Sequence, residues 1–130
     1  MNKKIRNATP LTYDGITFRS KLEAFTYKKL LEIGIKPEYE NEKFILIPAF
    51  TFQSEKIRAM TYTPDFIFKD HKDILHIVEC KGFANDVFPY KWKIFKWRLK
   101  EDGKENFILH VVKNQKQVNE MINNLNDEKG

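Results

Sequence analysis

The chain has 130 residues, 42% of them hydrophobic and 14% aromatic, eleven of those being Phe, with a net charge of +5 and a pI near 9.2. That composition excludes a disordered chain and is enough for one domain with a real core. The single cysteine, Cys80, excludes an internal disulfide and a cysteine-based zinc site. No apolar run approaches the roughly 18 residues that span a bilayer, and MNKKIRNATPLTYDG lacks a secretory h-region, so a cytoplasmic protein is expected.

In chain order, residues 1–10, with Lys3, Lys4 and Arg6, are expected to be a flexible end. TYDGITF reads as a short hairpin turning at Asp14-Gly15. SKLEAFTYKKLLEIGI reads as a helix from about Ser20 to Ile33, closed by Gly34. FILIPAFTF, AMTYTPDFIF and ILHIVEC are three strand-like runs rich in β-branched and aromatic residues. A second helix covers Phe88 to Glu101 and stops near Gly103, FILHVV is a short apolar strand, and NQKQVNEMINNL is a closing helix, with 126–130 expected to be loose. No repeat or linker breaks the chain, which predicts a single α/β (α+β) domain over 1–130. Its order is α-β-β-β-α-β-α, a mixed central sheet flanked by helices.

Two of the strand-like runs carry acid where a core strand prefers an apolar side chain, at Asp65 and Glu79. Burying an ionised carboxylate is costly unless something positive compensates it. Strand alternation puts Leu75, Ile77, Glu79 and Lys81 on one face, and Ile74, His76, Val78 and Cys80 on the other. Pro64 predicts a bend or an edge before Asp65. If the two runs pair through the DHKD turn, Asp65 and Glu79 converge across the ladder. A carboxylate pair of that kind shares a proton or holds a hard cation such as Mg²⁺ or Mn²⁺. Lys81 beside it would orient or deprotonate a water, or stabilise charge developing on a phosphoryl group.

Glu23 lies on the apolar stripe of the first helix. Ser20-Lys21-Leu22-Glu23 is also a capping box, in which Glu23 would reach back to the Ser20 N–H, so the bare pattern leaves a capping role and a catalytic role open.

Pro64-Asp65, then Glu79-Cys80-Lys81 on the next strand, preceded by a helix bearing Glu23, resembles the PD-(D/E)xK nuclease superfamily, whose members hydrolyse phosphodiester bonds with divalent metal on a restriction-endonuclease-like core. The resemblance covers about Phe18 to Val112. More narrowly, FRSKLEA, YTPDF, VECKG and the lysine-rich helix resemble the small phage-type, Holliday junction resolvase-like endonucleases. Transposon end-cleaving and very-short-patch repair nucleases share the core more distantly. The resemblance implies Asp65, Glu79 and the Cys80 backbone carbonyl as metal ligands, Lys81 as the catalytic lysine, and Glu23 as an accessory acid. It also implies a magnesium-dependent endodeoxyribonuclease acting in DNA recombination on Holliday junctions or other branched DNA. Two cuts in a symmetric junction imply a homodimer. If phage-encoded, it would work in the cytoplasm of a bacterial host.

The segment FPYKWKIFKWRLK carries Lys91, Lys93, Lys96, Arg98 and Lys100 with no acid. Phe88, Trp92, Phe95 and Leu99 form its apolar stripe, while Lys93, Lys96, Lys100 and Trp97 lie elsewhere on the helix. That second face is either a solvated surface or a DNA contact, and an exposed Trp97 suits base stacking or a subunit interface. Lys91, at the edge of the apolar stripe, is assigned a supporting contact near Asp65 and Glu79. His76 and His110 read as structural histidines, and Cys80 as a small core residue. Two rival functions stand beside the nuclease: a non-catalytic nucleic-acid-binding module using helix 88–101, and an interaction protein in which Glu79 and Lys81 are only an ion pair.

Overall fold

In a computed structural model of the chain, residues 11–81 and 87–129 are described. Strands β1 (Leu11–Tyr13) and β2 (Ile16–Phe18) lead into helix α1 (Lys21–Glu32). Seven short strands follow: β3 (Glu38–Tyr39), β4 (Phe44–Ile47), β5 (Phe50–Phe52), β6 (Glu55–Ile57), β7 (Met60–Tyr62), β8 (Phe66–Lys69) and β9 (Leu75–Cys80). Helix α2 (Phe88–Glu101), strand β10 (Ile108–Val112) and helix α3 (Gln115–Lys129) complete a mixed α and β architecture.

Local chemistry sets the boundaries. Asp14 and Gly15 both have positive φ, 57° and 78°, which is the two-residue turn that joins twisted antiparallel strands. Ser20 caps α1, its hydroxyl accepting from the Glu23 N–H at 3.2 Å. The helix ends with the Ile35 N–H on the Leu30 carbonyl and the Gly34 N–H on the Leu31 carbonyl, around a left-handed Gly34 (φ 84°). Helix α2 ends in the same way at Gly103.

The long sequence runs break where proline removes a ladder donor. Pro48 separates β4 from β5, and Pro64 separates β7 from β8, so two of the three expected strands each divide in two, while ILHIVEC remains the single strand β9. β4 pairs with β7, and β5 with β6 through a turn at Gln53 and Ser54, both at positive φ (48° and 73°). The closing helix, α3, extends to Lys129. The expectations for residues 1–10, including Lys3, Lys4 and Arg6, and for Gly82 lie outside the described residues.

The central sheet has four strands in the order β10-β9-β8-β3, with β10 parallel to β9 and the other pairs antiparallel. Alternation along β8 and β9 sends Phe66, Phe68 and Val78 to one face, where α1 (Ala24, Tyr27, Leu30) and α3 (Val118, Met121, Ile122) cover them. It sends Ile67 and Ile77 to the other, against Phe95 and Leu99 of α2 and against Leu46 and Tyr62 of the β4–β7 pair. The expected stripe of α2 is the face that packs, with Phe88 and Trp92 at its margin. Each fully buried side chain of this size contributes about 1.5–3 kcal/mol, so the two faces hold the sheet ends in fixed register. Among the described residues no helix is long and apolar enough to cross a membrane.

Candidate active site

The register of β8 and β9 builds the site. Phe66 pairs with Val78, so the next positions outward are Asp65 and Glu79. Asp65 is 6% exposed, and its Oδ2 accepts the Cys80 backbone N–H at 2.7 Å. The Lys81 N–H donates to the Val112 carbonyl at 2.9 Å, which ties this end of β9 to β10. The pair therefore sits where three strands are stitched together.

Glu79 points to the α2 face, where Tyr62 Oη donates to its Oε1 at 2.5 Å. The Tyr62 ring is fixed by Phe95, with centroids 5.0 Å apart, and by Trp92 at 5.9 Å. Burial and the Glu79 charge push the Tyr62 hydroxyl far above the usual phenol range, so it stays a donor.

Glu23 enters from α1, 7% exposed. The expected capping box is altered: the Glu23 carboxylate accepts from the Arg19 N–H at 2.9 Å, not from that of Ser20, and from Tyr39 Oη at 2.6 Å. The Tyr39 hydroxyl on β3 draws the carboxylate past the cap residue, which aims its charge at the strand ends. Arg19 itself pairs with Glu40.

The electrostatics show an incompletely balanced cluster. Burial, then the charges of Glu79 and Glu23, push the Asp65 carboxyl well above the usual range, against the Cys80 N–H and Arg19. Burial also raises Glu79, opposed by the Tyr62 hydrogen bond and the Lys81 charge and assisted by Glu23. Lys81 and Arg19 act as the nearby cations, yet both carboxyls remain drawn toward protonation.

Among the described residues no three Asp, Glu, His or Cys side chains form a ready-made metal cluster. A cation here would take two carboxylates, the Cys80 carbonyl and waters, an all-oxygen set that suits Mg²⁺ or Mn²⁺. The donor chemistry fits.

Asp65, Glu79, Lys81 and Glu23 thus gather at one end of the sheet, while the DNA-binding candidates stay on α2. Lys93, Lys96, Lys100 and Trp97 are exposed, Trp97 at 53%, with the Arg98 guanidinium 5.8 Å from its ring centroid. Lys96 Nζ lies 5.9 Å from the Trp92 centroid. Lys91 is half-buried and is not among the charges that act most strongly on Asp65 or Glu79. Lys81 Nζ rests 4.8 Å from the Phe88 ring centroid, above α2's first turn. Cys80 packs against the α1 and α3 core as expected, and burial pushes its thiol up.

Sequence reasoning missed Tyr62, Tyr39 and Arg19, because each reaches the cluster through tertiary packing. A second polar network, at the other end of β8 and β9, was also hidden. His76 Nε2 bonds Asp70 Oδ2 at 2.8 Å and His76 Nδ1 bonds His110 Nε2 at 2.8 Å, which satisfies the buried His76 as a structural histidine. Its one sequence signal was an Asp opening a turn: Asp70 Oδ1 accepts from the Lys72 and Ile74 N–H groups.

A family model described as a protein of unknown function (DUF1064) matches residues 3–116, which include every residue of the acidic cluster. No curated protein and no solved structure matches the chain.

Proposed function

We propose that this chain, which belongs to the DUF1064 family of proteins of unknown function, is a Mg²⁺- or Mn²⁺-dependent DNA endonuclease of the PD-(D/E)xK type, built on a restriction-endonuclease-like core. One observation carries the reading. Asp65, buried, and Glu79, half-buried, stand at adjacent strand ends and are both pushed toward protonation although Lys81 and Arg19 are near. A divalent cation removes that imbalance. Asp65, Glu79 and the Cys80 carbonyl would hold it, and it would supply Lewis-acid activation of a phosphodiester and its attacking water.

The remaining roles belong to the chain. Tyr62 holds the Glu79 carboxylate in place, and the Cys80 N–H does the same for Asp65. Lys81 follows the last residue of β9, its charge acts on Glu79 and its Nζ lies over Phe88 of α2, so that its ammonium would orient the water or neutralise charge on the phosphoryl oxygens. Glu23 supplies a third negative charge at the site, and Lys93, Lys96, Lys100 and Trp97 meet the DNA backbone and bases. Branched DNA and a homodimer complete the reading by analogy with resolvase-like nucleases.

A non-catalytic DNA-binding module is the second reading, favoured by the exposed Lys93, Lys96, Lys100 and Trp97 of α2. In that case Asp65 and Glu79 share a proton. The test is cleavage of four-way-junction, flap, single-stranded and linear duplex DNA with Mg²⁺, Mn²⁺ or EDTA, by wild type, Asp65→Ala and Lys81→Ala. Metal-dependent cuts lost in both variants support the nuclease. Metal-independent binding without cleavage supports the module.

A further inference from the structure

Among the described residues, the β5–β6 hairpin pairs with no other strand. Its register places Phe50 opposite Ile57 and Phe52 opposite Glu55, so Phe50, Phe52, Glu55 and Ile57 share one face, with Thr51 and Lys56 on the other. Phe50 is 48% exposed and Phe52 57%. An isolated two-stranded hairpin is at best marginally stable in water, and leaving two phenyl rings half in solvent adds to that instability. Such a tip is explained by something it touches.

Charge identifies the class of partner. From Lys43 to Thr63 the cations are Lys43, Lys56 and Arg58, and the only acid is Glu55. A two-fold pairing of the arm with a second copy of itself would set this same positive excess against itself. A polyanion is complementary to it. Phenyl rings have no hydrogen bond to give a phosphate, but they stack on any base whose face is open. In an intact duplex those faces are covered by neighbouring bases, and at a junction, flap or single-stranded segment they are not.

The arm is also continuous with the acidic cluster. Its root is the β4–β7 pair, where Phe44 packs on Phe95 of α2 at 5.0 Å and Tyr62 holds Glu79. A strand of DNA gripped by the arm and by α2 would pass the Asp65–Glu79 end of the sheet.

We infer that β4–β7 with its β5–β6 tip is a nucleic-acid-binding arm, in which Phe50 and Phe52 stack on unpaired or unstacked bases while Lys56 and Arg58 engage the backbone. The arm selects DNA with exposed base faces. This deepens the nuclease reading, and rests on it only in taking DNA as the partner.

The experiment is binding in EDTA, with Asp65→Ala as the parent protein so that cleavage cannot intervene. Fluorescently labelled four-way junction and a linear duplex of matched length are titrated with the parent, with Phe50→Ala/Phe52→Ala and with Lys56→Ala/Arg58→Ala. Circular dichroism and thermal melts confirm that each variant is folded, and Phe52→Trp serves as a conservative control that keeps a stacking surface. Removing the rings should weaken junction binding about tenfold or more and duplex binding little. Removing the charges should weaken both and flatten the log–log salt dependence by about two. Phe52→Trp should bind the junction as the parent does.

Unchanged junction affinity in the phenylalanine variant overturns the inference, as does a parent that binds neither DNA. So does dissociation of a dimer by that variant with junction affinity intact, which would make the face a contact between copies. Arm-dependent binding by a wild type that never cleaves would refute the nuclease alone. Cleavage with arm-independent binding would refute the arm alone.

Discussion

Asp65 Oδ2 accepts the Cys80 backbone N–H at 2.7 Å, so the first carboxylate of the pair is fixed to the residue that follows the second. The bond locks the register that opposes Asp65 to Glu79, and with it the repulsion between them. Folding this sheet correctly therefore creates an electrostatic conflict at its end.

Asp65→Asn should relieve it. The amide oxygen still accepts the Cys80 N–H, and one of three clustered negative charges is gone. In metal-free buffer the variant should melt higher than wild type, by about 4 °C for about 1 kcal/mol. It should also lose cleavage and any stabilisation by Mg²⁺. Calorimetry with and without Mg²⁺ checks both parts, and a variant that melts lower would contradict the account of a strained pair.

Tyr62→Phe keeps the ring between Trp92 and Phe95 and removes only the hydroxyl on Glu79. A half-buried carboxylate losing that donor destabilises the fold by about 1 kcal/mol. An outer hydrogen bond to a metal-holding group is worth about 10- to 100-fold in metal affinity. Thermal melts and the Mg²⁺ concentration needed for half-maximal cleavage should both shift. If neither moves, Tyr62 does not position Glu79.

Glu23 has two separable jobs. Glu23→Gln keeps an oxygen for the Arg19 N–H and the Tyr39 hydroxyl, so stability should stay within about 0.5 kcal/mol, while Glu23→Ala should lose about 1–2 kcal/mol. Cleavage should fall in both, because both remove the charge that reaches Asp65 and Glu79. Full activity in Glu23→Gln would leave Glu23 a purely structural residue.

The parts legible in the sequence were those written in neighbouring residues. Ser20, Gly34 and Gly103 mark helix ends through local backbone chemistry, and alternation along LHIVEC sorts β9 correctly between its two cores. The convergence of Asp65 and Glu79 needed only one further step, an antiparallel pairing across a short turn. What stayed hidden depended on long-range register. Tyr62 meets Glu79 from a separate two-stranded sheet, Tyr39 meets Glu23 from the edge strand, and His110 meets His76 through a parallel pairing that no local pattern encodes. Strand β5 was read as part of a longer strand because its apolar alternation is that of a core strand, while Pro48 separates it from β4, and β6 lay outside every strand-like run.

The Asp70–His76–His110 chain predicts how acid acts on stability. Burial raises the Asp70 carboxyl, but hydrogen bonds from His76 and from the Ile74 and Lys72 N–H groups outweigh it and bring it from 3.8 down to about 2. Burial, with His76 beside it, lowers His110 from 6.5 to about 4. In both cases the unfolded chain takes up its proton at higher pH than the folded protein does, so folding is favoured at neutral pH and the advantage is lost on acidification. The His110 contribution should be intact above pH 6.5 and disappear as pH falls through about 4, and the Asp70 contribution should go between 3.8 and about 2. Melting temperatures from pH 7.5 down to 4, about the lower reach of the His110 titration, should therefore fall less steeply in His110→Phe than in wild type. The variant should start lower at neutral pH, since His76 Nδ1 loses its partner. An equally steep fall would mean that His110 titrates as it does in water, and that the chain of hydrogen bonds does not hold it neutral.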